Sequence, residues 1–505
     1  MEALILFLLP ILPLAAALAL IFVPETRKGV FQKTVLWVSG LCLAGALFLF
    51  LRFPAGSGDY HFVFRCEWLP ELGIQYQGGV DGIGMTLVVL LGLVSTSGAF
   101  ISLWIRDRVK EYMIFYLILV ASIYGVFTSL DLFFLYLFYE MSVIPMYPLI
   151  GIWGSQNTVK QYRGVGGTYS AGKDYASMKL TVYITTGAVF ALAGILCFYG
   201  ASGLQTFDLI LIRETLAHQG LALEIQRWIA PFLLFGFGVI ASLWPLHSWS
   251  PIGYAAAPSA VSMLHAGVLK KMGPYLMIRL VFTFLPQGAR VWFPAIAILA
   301  TINIVYAAFA AIDQKDLKFL IGFSSVSHMG YVLLGITCAN ATALSGAVLL
   351  MFSHGVMVAS AFALVGYVYE TTHTRMIPDL GGLAKKLPFI SVCFVMTALA
   401  SAGVPGFSNF VSELLIFLGA WKDYRWPAVF AVCGILFTAV YLFRAIRRVF
   451  FGPLSRHWQG LEDPQGILGR FPFALLLGAL LVFGFWPQGL LRIIQPSVSA
   501  VLGGP

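Results

Sequence analysis

The sequence predicts an all-α polytopic membrane protein of about 14 transmembrane helices, with two inverted five-helix repeats and two broken helices. Three observations predict it. The 505 residues are 59% hydrophobic and only 10% charged, whereas a soluble domain carries roughly 25% charged residues. Apolar runs long enough to cross a bilayer recur from end to end. Two of those runs are too long and are interrupted by glycine and proline.

The runs cover approximately 2–23, 30–53, 80–105, 111–129, 130–153, 178–200, 226–254, 258–285, 291–311, 317–338, 343–369, 387–421, 426–450 and 471–493. The first, MEALILFLLPILPLAAALALIFV, carries Glu2, lacks a basic n-region and is too long for a signal-peptide core, so it reads as a retained span. The connections 54–79, 154–177 and 201–225 are too short to fold as domains. This gives four sections: 1–110 with helices 1–3, 111–285 as the first repeat, 286–450 as the second, inverted repeat, and 451–505 with helix 14.

Positive charge alternates between loops. Loops after odd-numbered spans carry Arg27 and Lys28, then Arg106, Arg108 and Lys110, then Lys160, Arg163 and Lys173. Further along come Lys315 and Lys318, then Arg375, Lys385 and Lys386, and finally Arg447, Arg448, Arg456 and Arg470. Even loops carry only scattered charge. The odd loops are therefore expected on the cytoplasmic side and both termini outside. The net charge of +9 thus reads as topology, not as a nucleic-acid footprint. The six cysteines form no CxxC, and no nucleotide-binding loop is present, so neither a metal, a cluster nor a nucleotide is expected in this chain.

The interrupted runs are IAPFLLFGFGVIASLWPLHSWSPIGYAAAP, with Pro245 and Pro251, and ISVCFVMTALASAGVPGFSNFVSELLIFLGAW, with Gly403, Pro405 and Gly406. Proline removes a backbone donor, and carbonyls freed at membrane depth persist only where protein or a watery cavity satisfies them. The broken runs are the seventh and twelfth. Five-span repeats over spans 4–8 and 9–13 would put the breaks in equivalent places, and an odd number of spans per repeat inverts the second.

Ionisable residues share this depth. Glu140 stands inside DLFFLYLFYEMSVIPMYPLIGIW, where a carboxylate costs about 2.5 to 3.5 kcal/mol on insertion scales. His247 sits at the first break. His265, Lys270 and Lys271 lie in the eighth run, His328 in the tenth, His354 in the eleventh, and Glu413 just after the second break. Any one of these histidines is as readily a structural hydrogen bonder. Adjacent lysines point about 100° apart on a helix, so one of the pair can snorkel or pair structurally. Together, however, Glu, Lys and His spread over several spans have the composition of a proton relay.

The segments LFYEMSVIPMY, WPLHSW, LHAGVLKKMGPY, DLKFLIGFSSVSHMGYVLLG, FSHGVMVASAFALVGYVYETTHTR, GGLAKKLP and GVPGFSNFVSELLIF occur in this order. In them the chain resembles the antiporter-like membrane subunits of respiratory complex I, of the chain M (NADH dehydrogenase subunit 4) type, which are related to the Mrp-type cation/proton antiporters. The resemblance covers nearly the whole chain. It implies a proton-translocating subunit of an NADH (or other donor):quinone oxidoreductase, without a redox cofactor of its own. Quinone, flavin and iron–sulfur clusters would belong to partner subunits, and antiporter-like siblings would flank the chain in a bacterial or archaeal plasma membrane. By position, Glu140 matches the family's fifth-span glutamate, Lys271 the eighth-span lysine with Lys270 beside it, His328 and His354 the central histidines, and Glu413 the twelfth-span acidic residue.

Two departures stand out. Ile240 occupies the place of the family's usual seventh-span lysine, so the expected partner of Glu140 is missing. Lys270 or Lys271 is then expected to reach Glu140. The stretch YRGVGGTYSAGKDYASMK looks longer than usual and reads as a contact surface or a flexible loop. Alternatives remain an Mrp-type cation/proton antiporter, a membrane-bound hydrogenase subunit, or a structural subunit that does not pump.

Overall fold

The computed structural model describes residues 1–156, 161–164, 167–170 and 172–503. Among them, 12 helices are long and apolar enough to cross a membrane. The eighth and twelfth expected spans are assembled from shorter pieces.

The N-terminal section holds α1 (Glu2–Ile21), α2 (Lys28–Arg52), an antiparallel hairpin of β1 (His61–Leu69) and β2 (Ile74–Val80), and α3 (Gly82–Ile101). In the hairpin Arg65 faces Gln77 and Cys66 faces Tyr76. Next come α4 (Val109–Thr128), α5 (Leu132–Val143) and α6 (Met146–Gly151), the last two one span bent at Pro145. A short hairpin pairs β3 (Gln161–Gly164) with β4 (Gly167–Ser170) in the stretch expected to be a long loop, part of which lies outside the described residues. There follow α7 (Lys173–Ser202), α8 (Leu209–Gln219), α9 (Leu223–Ala241), α10 (Trp249–Ala256), α11 (Ser259–Gly267) and α12 (Met272–Leu276). The second section holds α13 (Pro286–Ile312), α14 (Leu317–Thr337), α15 (Ala341–Thr372), α16 (Pro388–Ser401), α17 (Ser408–Asp423) and α18 (Arg425–Val449). The C-terminal section has two helices, α19 (Gly466–Phe485) and α20 (Gln488–Leu502), where one was expected.

Helices α14 and α15 form the axis of the bundle: their most apolar 18-residue stretches are 100% buried. Helix α3 lies beside them, and α20 closes over it. Leu490, Ile494, Val498 and Val501 bury one stripe of α20 at helical spacing. Ser497 Oγ accepts the Gly82 backbone N–H at 2.8 Å. A Cβ at position 82 would strike the Ile493 carbonyl, so glycine permits this approach.

The two expected breaks are built alike. Helix α9 ends on Ser242 in the left-handed region (φ 60°), with Pro245 three residues on and α10 following. Helix α16 ends before Gly403 (φ 65°), with Pro405 two residues on and α17 following. A third break lies in the eighth span, expected to be continuous. Val268 leaves helical geometry (φ −127°), a tight 3₁₀ turn spans Leu269–Lys271, and α12 runs into a π-helical turn at Met277–Phe282. π-turns and mid-helix 3₁₀ turns often accompany functional positions.

Candidate proton-transfer axis

The second break gathers three of the expected residues. His328 on α14, His354 on α15 and Glu413 on α17 are all buried. The imidazoles stack with centroids 5.1 Å apart and planes 20° apart. His328 Nδ1 lies 2.8 Å from the Ser324 carbonyl oxygen, and Nε2 lies 3.1 Å from the Ser401 carbonyl oxygen. Ser401 ends α16, so its carbonyl is one that the break would otherwise leave bare. Both ring nitrogens therefore face acceptors. A neutral imidazole donates from one nitrogen only; the doubly protonated ring satisfies both. Nε2 is also 3.7 Å from Glu413 Oε1.

Gly403 makes room for that carboxylate. A Cβ there would come within 2.6 Å of Glu413 Oε2. Neither carboxylate oxygen of Glu413, and neither ring nitrogen of His354, has a hydrogen-bond partner among the described residues. They are groups able to exchange protons with water or with one another.

The third break turns the two lysines inward. Lys270 donates from Nζ to Ser250 Oγ at 3.2 Å and lies 5.5 Å from the centre of the Tyr254 ring. Lys271 donates to the Ala266 carbonyl of its own interrupted helix. Helices α11 and α15 meet backbone to backbone just here: a Cβ at Gly355 would come within 2.6 Å of the Gly267 carbonyl oxygen. Small residues at such a crossing let helices approach closely.

His265 stacks on Trp249 (5.2 Å, 24°) and meets the edge of Tyr254 at 4.9 Å. His247 sits in the first break, edge-on to Tyr306 at 5.2 Å. Carbonyls at that break find donors: Trp249 Nε1 donates to Val239 O at 3.1 Å and Asn303 Nδ2 to Ser242 O at 3.0 Å; the same amide donates to Val326 O of α14 at 3.2 Å and so ties the break to that helix. Asn303, Ser250 and Tyr254 were not singled out in the sequence. A lone asparagine in the apolar run of α13 was the available signal.

Glu140 departs from expectation. It accepts a hydrogen bond from the Tyr136 hydroxyl at 2.6 Å, and among the described residues no lysine pairs with it. The reason is directional. The break at Val268 aims Lys270 and Lys271 toward α10 and α11, while α5 carries Glu140 on the same stripe as Leu137, Ile144 and Tyr147, exposed by 42%, 68% and 45%. Ile240 is fully buried in α9 against Gly273. Glu140 is thus half-buried on the outer face, with Tyr136 and not one of the lysines or histidines named above as its partner.

Two of the charges counted at the span ends turn inward. Lys318 and Arg375 are buried; they donate to the Ala257 carbonyl at 2.7 Å and to the Ala255 carbonyl at 2.6 Å, capping α10, and Arg375 pairs with Asp316 at 2.6 Å. At the other end of the eighth span, Arg279 pairs with Asp81 between the rings of Tyr60 and Tyr275. Among the described residues, no cluster of three or more His, Cys, Asp or Glu could hold a metal ion.

A helical membrane bundle with interrupted spans and a file of buried lysine, histidine and glutamate defines an ion-translocating class of membrane subunit. Residues 129–438 match the family described as NADH:quinone oxidoreductase/Mrp antiporter, TM, and the chain belongs to this family. NADH-quinone oxidoreductase subunit M of Rickettsia prowazekii is 32% identical over 503 residues, covering 97% of each chain. NAD(P)H-quinone oxidoreductase chain 4 of Gloeobacter violaceus is 33% identical, covering 97% of this chain and 91% of that one. A chain of respiratory complex I from Thermus thermophilus superposes with a TM-score of 0.86 at 27% identity, over 100% of both chains. A chain of the Mrp complex from Dietzia sp. shares the fold, with a TM-score of 0.84 at 19% identity over 99% of this chain and 97% of that one.

Proposed function

We propose that the chain is a proton-translocating membrane subunit of a complex I-type NADH:quinone oxidoreductase. The single observation that carries this reading is the contact of His328 with the Ser401 carbonyl and the Glu413 carboxylate at a helix break. In this reading a proton on the His328 ring is held between two carbonyls and a carboxylate. Glu413 accepts it, which leaves a neutral imidazole beside a neutral carboxyl; the carboxyl then releases the proton onward and the ring takes up another. His354 and Lys271 extend the path toward the first half, and Lys270, His265 and His247 carry it on. Quinone, flavin and iron–sulfur chemistry lies, in this reading, in partner subunits and sibling membrane subunits flank the chain; its support is that relatives are named as subunits of an NADH-quinone oxidoreductase. Both termini face outside, and 111–285 and 286–450 are the inverted repeats.

The test is reconstitution of the purified complex in proteoliposomes. Glu413→Gln keeps the shape and removes the titratable proton. A lowered proton-to-electron ratio with intact assembly supports the reading; an unchanged ratio and turnover overturn it. A second reading, a subunit that assembles without pumping, draws on one observation: Ile240 leaves Glu140 without a cation among the described residues. It predicts an unchanged ratio in both Glu413→Gln and Glu140→Gln.

A further inference from the structure

An apolar groove of about 720 Å³ runs along the outside of the N-terminal section. Its walls include Trp37, Gly40 and Leu43 of α2, Phe100 of α3, and Leu468 and Phe471 of the α19 segment. The polar side chains behind it are turned into the protein: Thr96 donates to Ser39 O at 3.0 Å and Ser97 to Pro472 O at 3.3 Å. The wall is therefore mostly hydrocarbon, with the indole rings of Trp37 and Trp104 in it. The groove is also not filled from within the chain, since a Cβ at Gly40 would meet nothing within 4 Å.

One end of the groove is basic. Lys33 lies one turn before Trp37 on the same face of α2. Arg106 follows Trp104 by two residues, and Lys28 Nζ donates to the Arg106 carbonyl at 3.2 Å. That bond brings the start of α2 and the end of the α3 segment together. Arg27, Lys28, Lys33 and Arg106 outnumber Glu25 and Asp107 there, while Arg108 is spent on Glu111 at 3.1 Å. Lys33 and Arg106 are exposed. Trp37 is 72% exposed and borders this end, the place where amphipathic rings sit at headgroup level.

We propose that this groove is a binding site for an anionic phospholipid, one acyl chain lying against Trp37, Gly40 and Phe471 and the phosphate held by Lys33 and Arg106. A dry apolar channel suits an acyl chain, and a cluster of basic residues at its mouth selects a negative headgroup over a zwitterionic one. A protein helix could fill the channel but would not call for the basic mouth.

The test uses the intact complex in phosphatidylcholine nanodiscs doped with brominated phosphatidylglycerol or brominated phosphatidylcholine. Quenching of Trp37 is isolated by subtracting the Trp37→Phe variant. The expected result is stronger quenching by phosphatidylglycerol. That preference should fall roughly fivefold in Lys33→Gln and vanish in Gly40→Phe, which fills the channel. Equal quenching by the two lipids means ordinary bilayer contact and overturns the proposal. Absence of quenching by either, in a complex that retains Trp37 fluorescence, means that a partner subunit covers the groove and also overturns it.

Discussion

His328 Nε2 lies 3.1 Å from the Ser401 carbonyl oxygen and 3.7 Å from Glu413 Oε1, so one ring nitrogen addresses both the helix break and the carboxylate behind it. The break and the titratable pair form one unit. If this unit moves protons, Glu413→Gln lowers coupled proton release by about 10²-fold, the lower end of what one positioned proton-transfer group contributes. Dye-reported acidification alongside quinone reduction measures it, and unchanged acidification per electron removes Glu413 from the path.

Gly403 tests the same unit sterically. Its φ of 65° costs a side-chain-bearing residue about 1–2 kcal/mol, and a Cβ would press on Glu413 Oε2. Gly403→Ala is expected to lower the unfolding temperature of the complex and its pumping together. Full pumping in this variant would mean that the carboxylate does not need its present seat.

Asn303 supports the first break. Asn303→Leu leaves the Ser242 carbonyl without that donor, at a cost of about 1–3 kcal/mol when buried. Faster proteolysis around residues 242–248 is the expected sign. Proteolysis unchanged from the parent would show that the break holds without this support.

Glu140 and Glu413 make opposite predictions toward a lipid-soluble carbodiimide, which modifies protonated carboxyls reachable from the bilayer. In the isolated full-length chain Glu140 is expected to react and Glu413 to resist, since Glu140 lies on the outer stripe with Ile144 and Glu413 is buried. Mass spectrometry of the labelled chain decides. Labelling of Glu413 ahead of Glu140 would contradict the placement of both.

His61, at the start of β1, packs edge-on against Phe53 at 5.1 Å. Burial lowers its pKa below the ordinary 6.5, against the opposing pull of Asp59 and Asp81. A histidine depressed in the folded state contributes stability above its unfolded pKa and loses it as pH falls through the folded value. Hydrogen exchange across residues 53–64 should therefore quicken below about pH 6.5. Exchange that shows no pH dependence beyond the intrinsic chemistry, or a slowing relative to it, would contradict the sign.

Much of the fold was legible because its signals are local. Pro245, Pro405 and Gly403 mark the seventh and twelfth breaks by what their backbones cannot do. His328, His354 and Glu413 could be singled out because an ionisable group is rare at that depth. The break at Val268 was not expected, although Gly267 before it and Pro274, which cannot donate to the Lys270 carbonyl, are local signals that could have found it. Lys318 and Arg375 looked like loop charges, since hydropathy places a residue near a helix end without saying that it turns inward to cap α10. The expected Glu140–lysine contact failed for a related reason. Sequence fixes which residues lie on one stripe of α5, but the rotation of that stripe toward or away from α11 is set by neighbours contributed from far along the chain.

The absence of two methyl groups, at Gly267 and Gly355, sets how closely the first half of the molecule rides on the second. Lys271 follows one of these positions by a turn and His354 adjoins the other, so a single added carbon would stretch the gap between them while leaving every titratable group intact. The gearing between the halves is thus adjustable independently of the chemistry, and a change from glycine to alanine there would act as a change of transmission ratio in an otherwise unaltered machine.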